Sequence, residues 1–314
     1  MLLAALPEPK ELTIVYMSSR QGAVAPCHCD TAPLGGVDRQ LGAVEAIRAK
    51  AKSVLVIDGG DNFFESSEQA KAPDAMARAE LIADTFAAIK PDVMFPGERD
   101  FLHTAPTLRE LGTRARAPWL ASNISPARDR PPMVLPLHVA KIDGQKVLLL
   151  GVYMKETFPA ALKDEKYGFE DPEITVKRVV SQYRGYADLI VVIAHTDAQT
   201  EEKLAAIDGV TLVLSAHEGR LQFGTRPIAD AQVVAAGKDG KYLVRLDLRY
   251  RTPLPKLQAG VEVQKFFREK KAMSQGLGLK DTLLFQLVPL SAEGPSNEAL
   301  RTRAKAIDPV GYGK

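Results

Sequence analysis

Short apolar runs recur along the chain, set apart by amphipathic stretches. The runs at 12–16, 54–57, 93–95, 147–150, 189–193 and 212–214 are β-branched or Leu-rich with almost no polar alternation. A strand reads this way when its sheet is covered on both faces. Between the runs, Val37, Leu41 and Val44 share one helical face. So do Ala79, Ile82, Phe86 and Ile89, and again Val176, Val180 and Tyr183. That spacing predicts helices with one buried side. A shorter helix is expected over 200–207. Pro73-Asp74 and Asp171-Pro172 stand just ahead of periodic runs, where caps and first-turn prolines belong.

Two hairpins are expected to interrupt the alternation. Segments 134–142 and 146–150 flank Asp143-Gly144, a strong turn dipeptide. Segments 231–236 and 242–250 flank Gly237-Lys-Asp-Gly240. Beyond residue 250 the chain changes character. Thr252-Pro-Leu-Pro255 reads as a linker. Val263, Phe266 and Phe267 fall in a basic amphipathic helix ending near Met273, and a weaker helix covers 300–307. The expected organisation is an α/β core over 1–250 and a C-terminal helical extension over 251–314 that braces it. No internal repeat occurs.

Composition narrows the class. Of 314 residues, 46% are apolar and 25% charged, the balance of an ordinary folded chain rather than a disordered or collagenous one. No apolar run approaches the ~20 residues of a membrane span. With 41 basic and 39 acidic residues, nothing points to a nucleic-acid surface. The apolar start falls short of the ~7–15-residue core of a signal peptide, so none is evident.

The scarce residues carry the candidate chemistry: Cys27, Cys29, His28, His103, His138, His195 and His217. In doubly wound sheets, ligands gather beyond the carboxyl ends of strands. After the second run comes Asp58-Gly-Gly-Asp61-Asn62, and after the third Pro96-Gly-Glu98-Arg99-Asp100. The fifth leads into His195-Thr-Asp197, and the sixth into Ser215-Ala-His217-Glu218-Gly219. Singly, each is an ordinary loop histidine or turn aspartate. Together they set two imidazoles and several carboxylates on one rim, where a divalent metal would be held. His103 and His138 read as structural, and Phe63 and Phe64 as core.

The order of these segments resembles the calcineurin-like metallophosphoesterases, in their 5′-nucleotidase-like branch, over residues 11–250. That family's first motif, L-H-T-N-D-x-H-G, aligns with Val15-Tyr-Met-Ser-Ser-Arg-Gln-Gly22. Its D-x-G-D matches Asp58-Gly-Gly-Asp61, and its G-N-H-E-F-D matches Gly97-Glu-Arg-Asp-Phe-Leu102. Leu120-Ala-Ser-Asn-Ile124 resembles its S-A-N-I strand, Val192-Ile-Ala-His195 its fourth motif, and Ala216-His-Glu-Gly219 its G-H-x-H. The segment 236–248 resembles its closing hairpin. The resemblance implies a sandwich of mixed β-sheets flanked by helices.

The departures from the family are grouped. Ser19 and Gln21 stand for the first-motif Asp and His, and Gly219 for the last His, so one of the family's two metal positions loses its private ligands. The other position keeps Asp61, His195 and His217 and has Glu98 in place of Asn. The expectation is one divalent transition metal, Zn²⁺, Mn²⁺ or Fe²⁺, on Asp61, Glu98, His195 and His217. Arg99 takes the place of the family's catalytic imidazole. It would hold a phosphate or other oxyanion, but it cannot serve as a general acid. The implied activity is hydrolysis of a small phosphoester. The alternative is a degenerate fold kept for metal or ligand binding, or for redox. With residues 251–314 alone after the core, the family's nucleotide-recognition domain is not expected.

Pro26-Cys-His-Cys-Asp30 stands apart. Cys27, His28 and Cys29 would bind a second, soft metal, form a strained redox-active disulfide, or simply stabilise a loop. With Pro33-Leu-Gly-Gly36 the segment resembles extracytoplasmic nucleotidase-like bacterial proteins, which implies the periplasm or cell surface.

Overall fold

The computed structural model describes residues 8–27, 32–127, 132–251, 258–261 and 282–312. In chain order these form β1 (Lys10–Met17), α1 (Val37–Arg48), β2 (Val54–Asp58), α2 (Ala75–Ile89), β3 (Val93–Met94), α3 (Ala105–Ala115) and β4 (Ile124–Ser125). Next come β5 (His138–Ile142), β6 (Gln145–Tyr153), α4 (Ala160–Asp164), β7 (Gly168–Phe169), α5 (Pro172–Tyr183), β8 (Leu189–His195), α6 (Ala198–Ala205) and β9 (Leu212–Ser215). The last elements are β10 (Arg226–Ile228), β11 (Ala231–Ala235), β12 (Tyr242–Tyr250), β13 (Gln258–Val261), β14 (Thr282–Pro289) and α7 (Glu298–Ile307).

Two six-stranded mixed sheets carry the fold. Their orders are β13-β14-β12-β1-β2-β3 and β10-β11-β9-β8-β6-β5. In the second sheet the pleat separates two cores. Val147 and Leu149 of β6 and Val191 and Ile193 of β8 join the core shared with the first sheet. Leu148, Leu150, Ile190 and Val192 face the other way, onto Val176 and Val180 of α5 and Leu204 of α6. Alternate residues are therefore all apolar, which is why these runs show no polar period.

Each predicted apolar run is a strand, and the expected helices are α1, α2, α5, α6 and α7. Asp171 caps α5 by accepting from the backbone of Glu173 and Ile174, with Pro172 in the first turn. The hairpin at Asp143-Gly144 is present, both residues with left-handed φ of 48° and 72°.

The second expected hairpin is not one. β11 pairs with β9 and β10, whereas β12 pairs with β1 and β14, so residues 236–241 cross from one sheet to the other. Every residue of β11 is buried. A strand buried on both faces finds full cover beside β9, not at the end of a two-stranded ribbon.

The strand β14 is not anticipated by the sequence pattern, and it pairs with β12 over its whole length. α7 packs on α1 and α2. Asp38 of α1 ties this region down, accepting from Tyr312 Oη at 2.6 Å. The helix expected around Val263 to Met273, the proline-rich 252–255 stretch and the apolar start lie outside the described residues.

Candidate metal centre

The site straddles the carboxyl ends of both sheets. Asp61 follows β2, Glu98 follows β3, His195 closes β8, and His217 lies two residues past β9. β8 and β9 run parallel with Ala194 opposite Ser215, which sets the two histidines side by side. Their ring centroids are 5.0 Å apart.

Local backbone geometry aims the acids. The Asp58–Asn62 loop turns sharply, with Gly60 at φ 88° and Asp61 itself left-handed at 56°. A Cβ at Gly60 would lie 2.4 Å from the Phe95 carbonyl oxygen, so this close pass requires glycine. Asp100 fastens the two loops together. Its buried carboxylate accepts from the backbone N–H of Asp61 (2.9 Å), Asn62 (2.7 Å), Phe63 (3.0 Å) and Gly97 (3.0 Å). Asp58 accepts from Gly60 N (2.9 Å) and Asn62 Nδ2 (2.6 Å) beneath it.

The structure brings the four expected ligands together: Asp61, Glu98, His195 and His217 each offer a ligand atom, all within 4.8 Å of one another. It is the one such group among the described residues. His195 Nε2 lies 2.6 Å from Glu98 Oε2 and 3.8 Å from Asp61 Oδ2. His217 Nδ1 lies 3.2 Å from Glu98 Oε1, without hydrogen-bond alignment. Asp61 Oδ1 accepts from Arg99 N at 2.9 Å.

Three polar atoms of this cluster are buried with no hydrogen-bond partner: Asp61 Oδ2, His195 Nδ1 and His217 Nδ1. Unmade hydrogen bonds at buried groups are costly. A cation among these donors would satisfy Asp61 Oδ2 and His217 Nδ1 together. The donor set of two imidazoles and two carboxylates therefore fits a divalent transition metal.

The charges are strongly linked. Burial pushes Glu98 upward, but the hydrogen bond to His195 and the close approach and charge of both imidazoles outweigh it and bring the carboxyl down to about 2. The same contact with Glu98 raises His217 above the usual imidazole range. Burial raises Asp61, opposed by His195. Burial and the nearby Asp61 push Asp100 up to about 7. Phe95 stacks on His195 at 5.4 Å, and Tyr153 meets that ring edge-on at 5.9 Å. These aromatic walls keep water from the imidazole.

The first-motif loop rests on the acid loop. Ser19 N donates to Gly60 O (2.7 Å) and Gln21 N to Asp61 O (2.8 Å). Ser19 Oγ donates to Ala216 O at 3.2 Å. Arg20 between them is wholly buried, held by Ala23 O and Gln40 Oε1, and its burial lowers it to about 10. Arg20 and Asp100 are not singled out by the sequence. Their only signal there is position, inside matched motifs.

The other candidates fall elsewhere. Arg99 stands beside Asp61, with Nε 3.6 Å from Oδ2, and donates through Nη1 to the Glu65 carbonyl. Cys27 is disulfide-bonded, its Sγ accepting from Leu34 N at 3.4 Å. His28 and Cys29 lie outside the described residues. His103 contacts Thr107 Oγ1 and stacks on Phe64 away from the cluster, and His138 sits in β5. Phe63 and Phe64 are wholly buried in the core.

No family model matches the chain. The 5′-nucleotidase of Diplobatis ommata is 24% identical over 246 residues, covering 72% of this chain and 40% of that protein. The chain spans 40% or less of the length of the curated relatives it matches. Among solved structures, the 5′-nucleotidase precursor of Thermus thermophilus superposes with a TM-score of 0.70 at 17% identity, over 95% of this chain and 58% of that one. The sulfate thiohydrolase SoxB of the same organism does so with 0.71 at 18% identity, over 96% and 61%.

Proposed function

From a chain with the fold and sequence likeness of the 5′-nucleotidase-like branch of the calcineurin-like metallophosphoesterases, we infer a metal-dependent phosphoester hydrolase working through one metal position. The observation that carries this reading is the convergence of Asp61, Glu98, His195 and His217 within 4.8 Å. Ser19, Gln21 and Gly219 offer no carboxylate or imidazole for a second position.

A divalent ion held by the four residues supplies Lewis acidity to a phosphoryl oxygen and acidifies water. The chain does the rest. Asp61 and His195 form the buried floor, while Glu98 and His217 reach the surface and meet the substrate side. Asp100 and Gly97 fix where Asp61 points. Both imidazoles near the centre belong to the ligand set, so among the described residues no spare imidazole stands ready to protonate a leaving group. Substrates whose leaving group departs without a proton, such as aryl phosphates, should therefore react fastest.

The disulfide at Cys27 supports an oxidising, extracytoplasmic location and weighs against thiolate ligation of a second metal there. None of the helices is long and apolar enough to cross a membrane among the described residues.

The test is hydrolysis of an aryl phosphate by untagged protein loaded in turn with Mn²⁺, Zn²⁺ and Fe²⁺. Turnover that His195→Ala abolishes supports the assignment. A metal-loaded protein with no turnover on any of the three would instead identify a binding protein on this fold.

A further inference from the structure

We propose that Arg99 is the second positive pole of the site. Its guanidinium and the cation position on Asp61, Glu98, His195 and His217 together seat a tetrahedral oxyanion, a phosphate monoester dianion. The inference rests on the metal reading above and adds the group that recognises the substrate.

Asp61 is the shared element. Its wholly buried Oδ2 lies 3.8 Å from His195 Nε2 and 3.6 Å from Arg99 Nε, within reach of both the ligand cluster and the guanidinium. The turn Glu98–Phe101 produces this arrangement. Glu98 points at the imidazoles, and the next residue lies against Asp61.

A guanidinium serving only to neutralise Asp61 would align a hydrogen bond to it. Arg99 does not: Nε is buried with no hydrogen-bond partner, and one Nη1 bond goes to the Glu65 carbonyl. The rest of the planar fork has no hydrogen-bond partner among the described residues. The side chain is 36% exposed, beside Glu98 at 27% and His217 at 24%, whereas Asp61 and His195 are sealed. The anchored but unfilled fork thus belongs to the solvent-facing part of the site.

Arginine is suited to this place. Its charge does not titrate, and its fork matches two oxygens of a phosphate. Two carboxylates would repel a dianion on their own, so the seat requires positive charge from the metal position as well as from Arg99.

The test is calorimetric titration of inorganic phosphate into Mn²⁺-loaded wild type, Arg99→Gln and Arg99→Lys, with manganese content and thermal melting followed in parallel. The Asp61 contact made by Arg99 N is a backbone bond, so Gln retains it. Arg99→Gln should weaken phosphate binding at least tenfold, and Arg99→Lys should recover part of the loss. Manganese affinity should stay the same or tighten, because a neighbouring cation has gone. Arg99→Gln binding phosphate within twofold of wild type at equal manganese content would overturn the proposal. So would phosphate binding lost only in step with manganese or with folding, while Arg99→Lys behaves as wild type.

The two readings fail separately. Manganese bound without phosphate removes the seat and leaves the metal centre. Arg99-dependent phosphate binding without manganese removes the metal centre and leaves the guanidinium pole. Neither bound removes both.

Discussion

His195 Nε2 and Glu98 Oε2 stand 2.6 Å apart, the imidazole wholly buried and the carboxylate at the surface of the site. Without a cation the two atoms hydrogen-bond to each other, and both belong to the group that would hold one. His195→Ala removes a ligand and opens a cavity against Phe95 and Tyr153. Untagged wild type should retain close to one equivalent of a transition metal after dialysis, and the variant about a tenth or less. At a metal concentration 100 times Kd, binding contributes ~2.7 kcal/mol of stability. A chelator should therefore lower the melting temperature of wild type and leave that of His195→Ala unchanged. Elemental analysis and a melting curve check both, and a metal-free wild type would end the assignment.

Metal affinity should fall with pH in a window set by His217. The Glu98 contact raises this imidazole above its ordinary value near 6.5. A cation binds the unprotonated ring and must displace that proton. Well above the folded-state value there is no proton to displace and affinity is flat. As pH falls through that value, affinity drops by up to tenfold per unit. Glu98, held down to about 2, does not compete in this range. His217→Gln should flatten the profile on the alkaline side of the ordinary imidazole value near 6.5 while lowering affinity throughout. Metal titrations at four pH values suffice, and a wild-type profile already flat there would refute the linkage.

Asp100→Asn should destabilise the protein by about 3 kcal/mol. The carboxylate accepts four backbone N–H groups from two loops. An amide offers one oxygen and turns an NH₂ toward donors that it cannot satisfy. Because those loops carry Asp61 and Glu98, metal affinity should fall with stability. Urea unfolding with and without metal separates the two losses. A variant as stable as wild type would mean that these four bonds do not hold the loops.

Much of this centre can be read from the chain, because strands covered on both faces announce themselves as apolar runs and ligands follow their carboxyl ends. That rule supplies the two imidazoles and several carboxylates, the family resemblance picks Asp61, Glu98, His195 and His217 from among them, and these four meet. Asp100 is not, since an acid that bonds only backbone N–H groups looks like any turn aspartate. Arg20 escapes for a similar reason: its burial depends on Gly240 leaving room for the guanidinium, which no local pattern shows. The false hairpin at 237–240 has the right turn residues, but pairing there is decided by which sheet can cover β11. β14 escapes because its partner β12 lies more than thirty residues earlier, and periodicity sees only neighbours.

Gly97→Ala should disable the centre although Gly97 has an ordinary φ of −66°. Space is the constraint. A Cβ there would lie 2.2 Å from Asp61 Oδ1 and 2.5 Å from Asp61 N. A real Cβ cannot approach backbone that closely, so the Asp61 loop must retreat from β3 and take the carboxylate away from His195. Overpacking of this kind costs ~1–3 kcal/mol, and metal affinity should fall at least tenfold. Gly144→Ala is the matched control. Its Cβ meets nothing within 4 Å, but its φ of 72° is left-handed. That variant should lose ~1 kcal/mol from backbone strain and bind metal as wild type does. Metal titration of both variants distinguishes a local displacement of Asp61 from general loss of stability. Full metal affinity in Gly97→Ala would show that the loop can yield without moving its carboxylate.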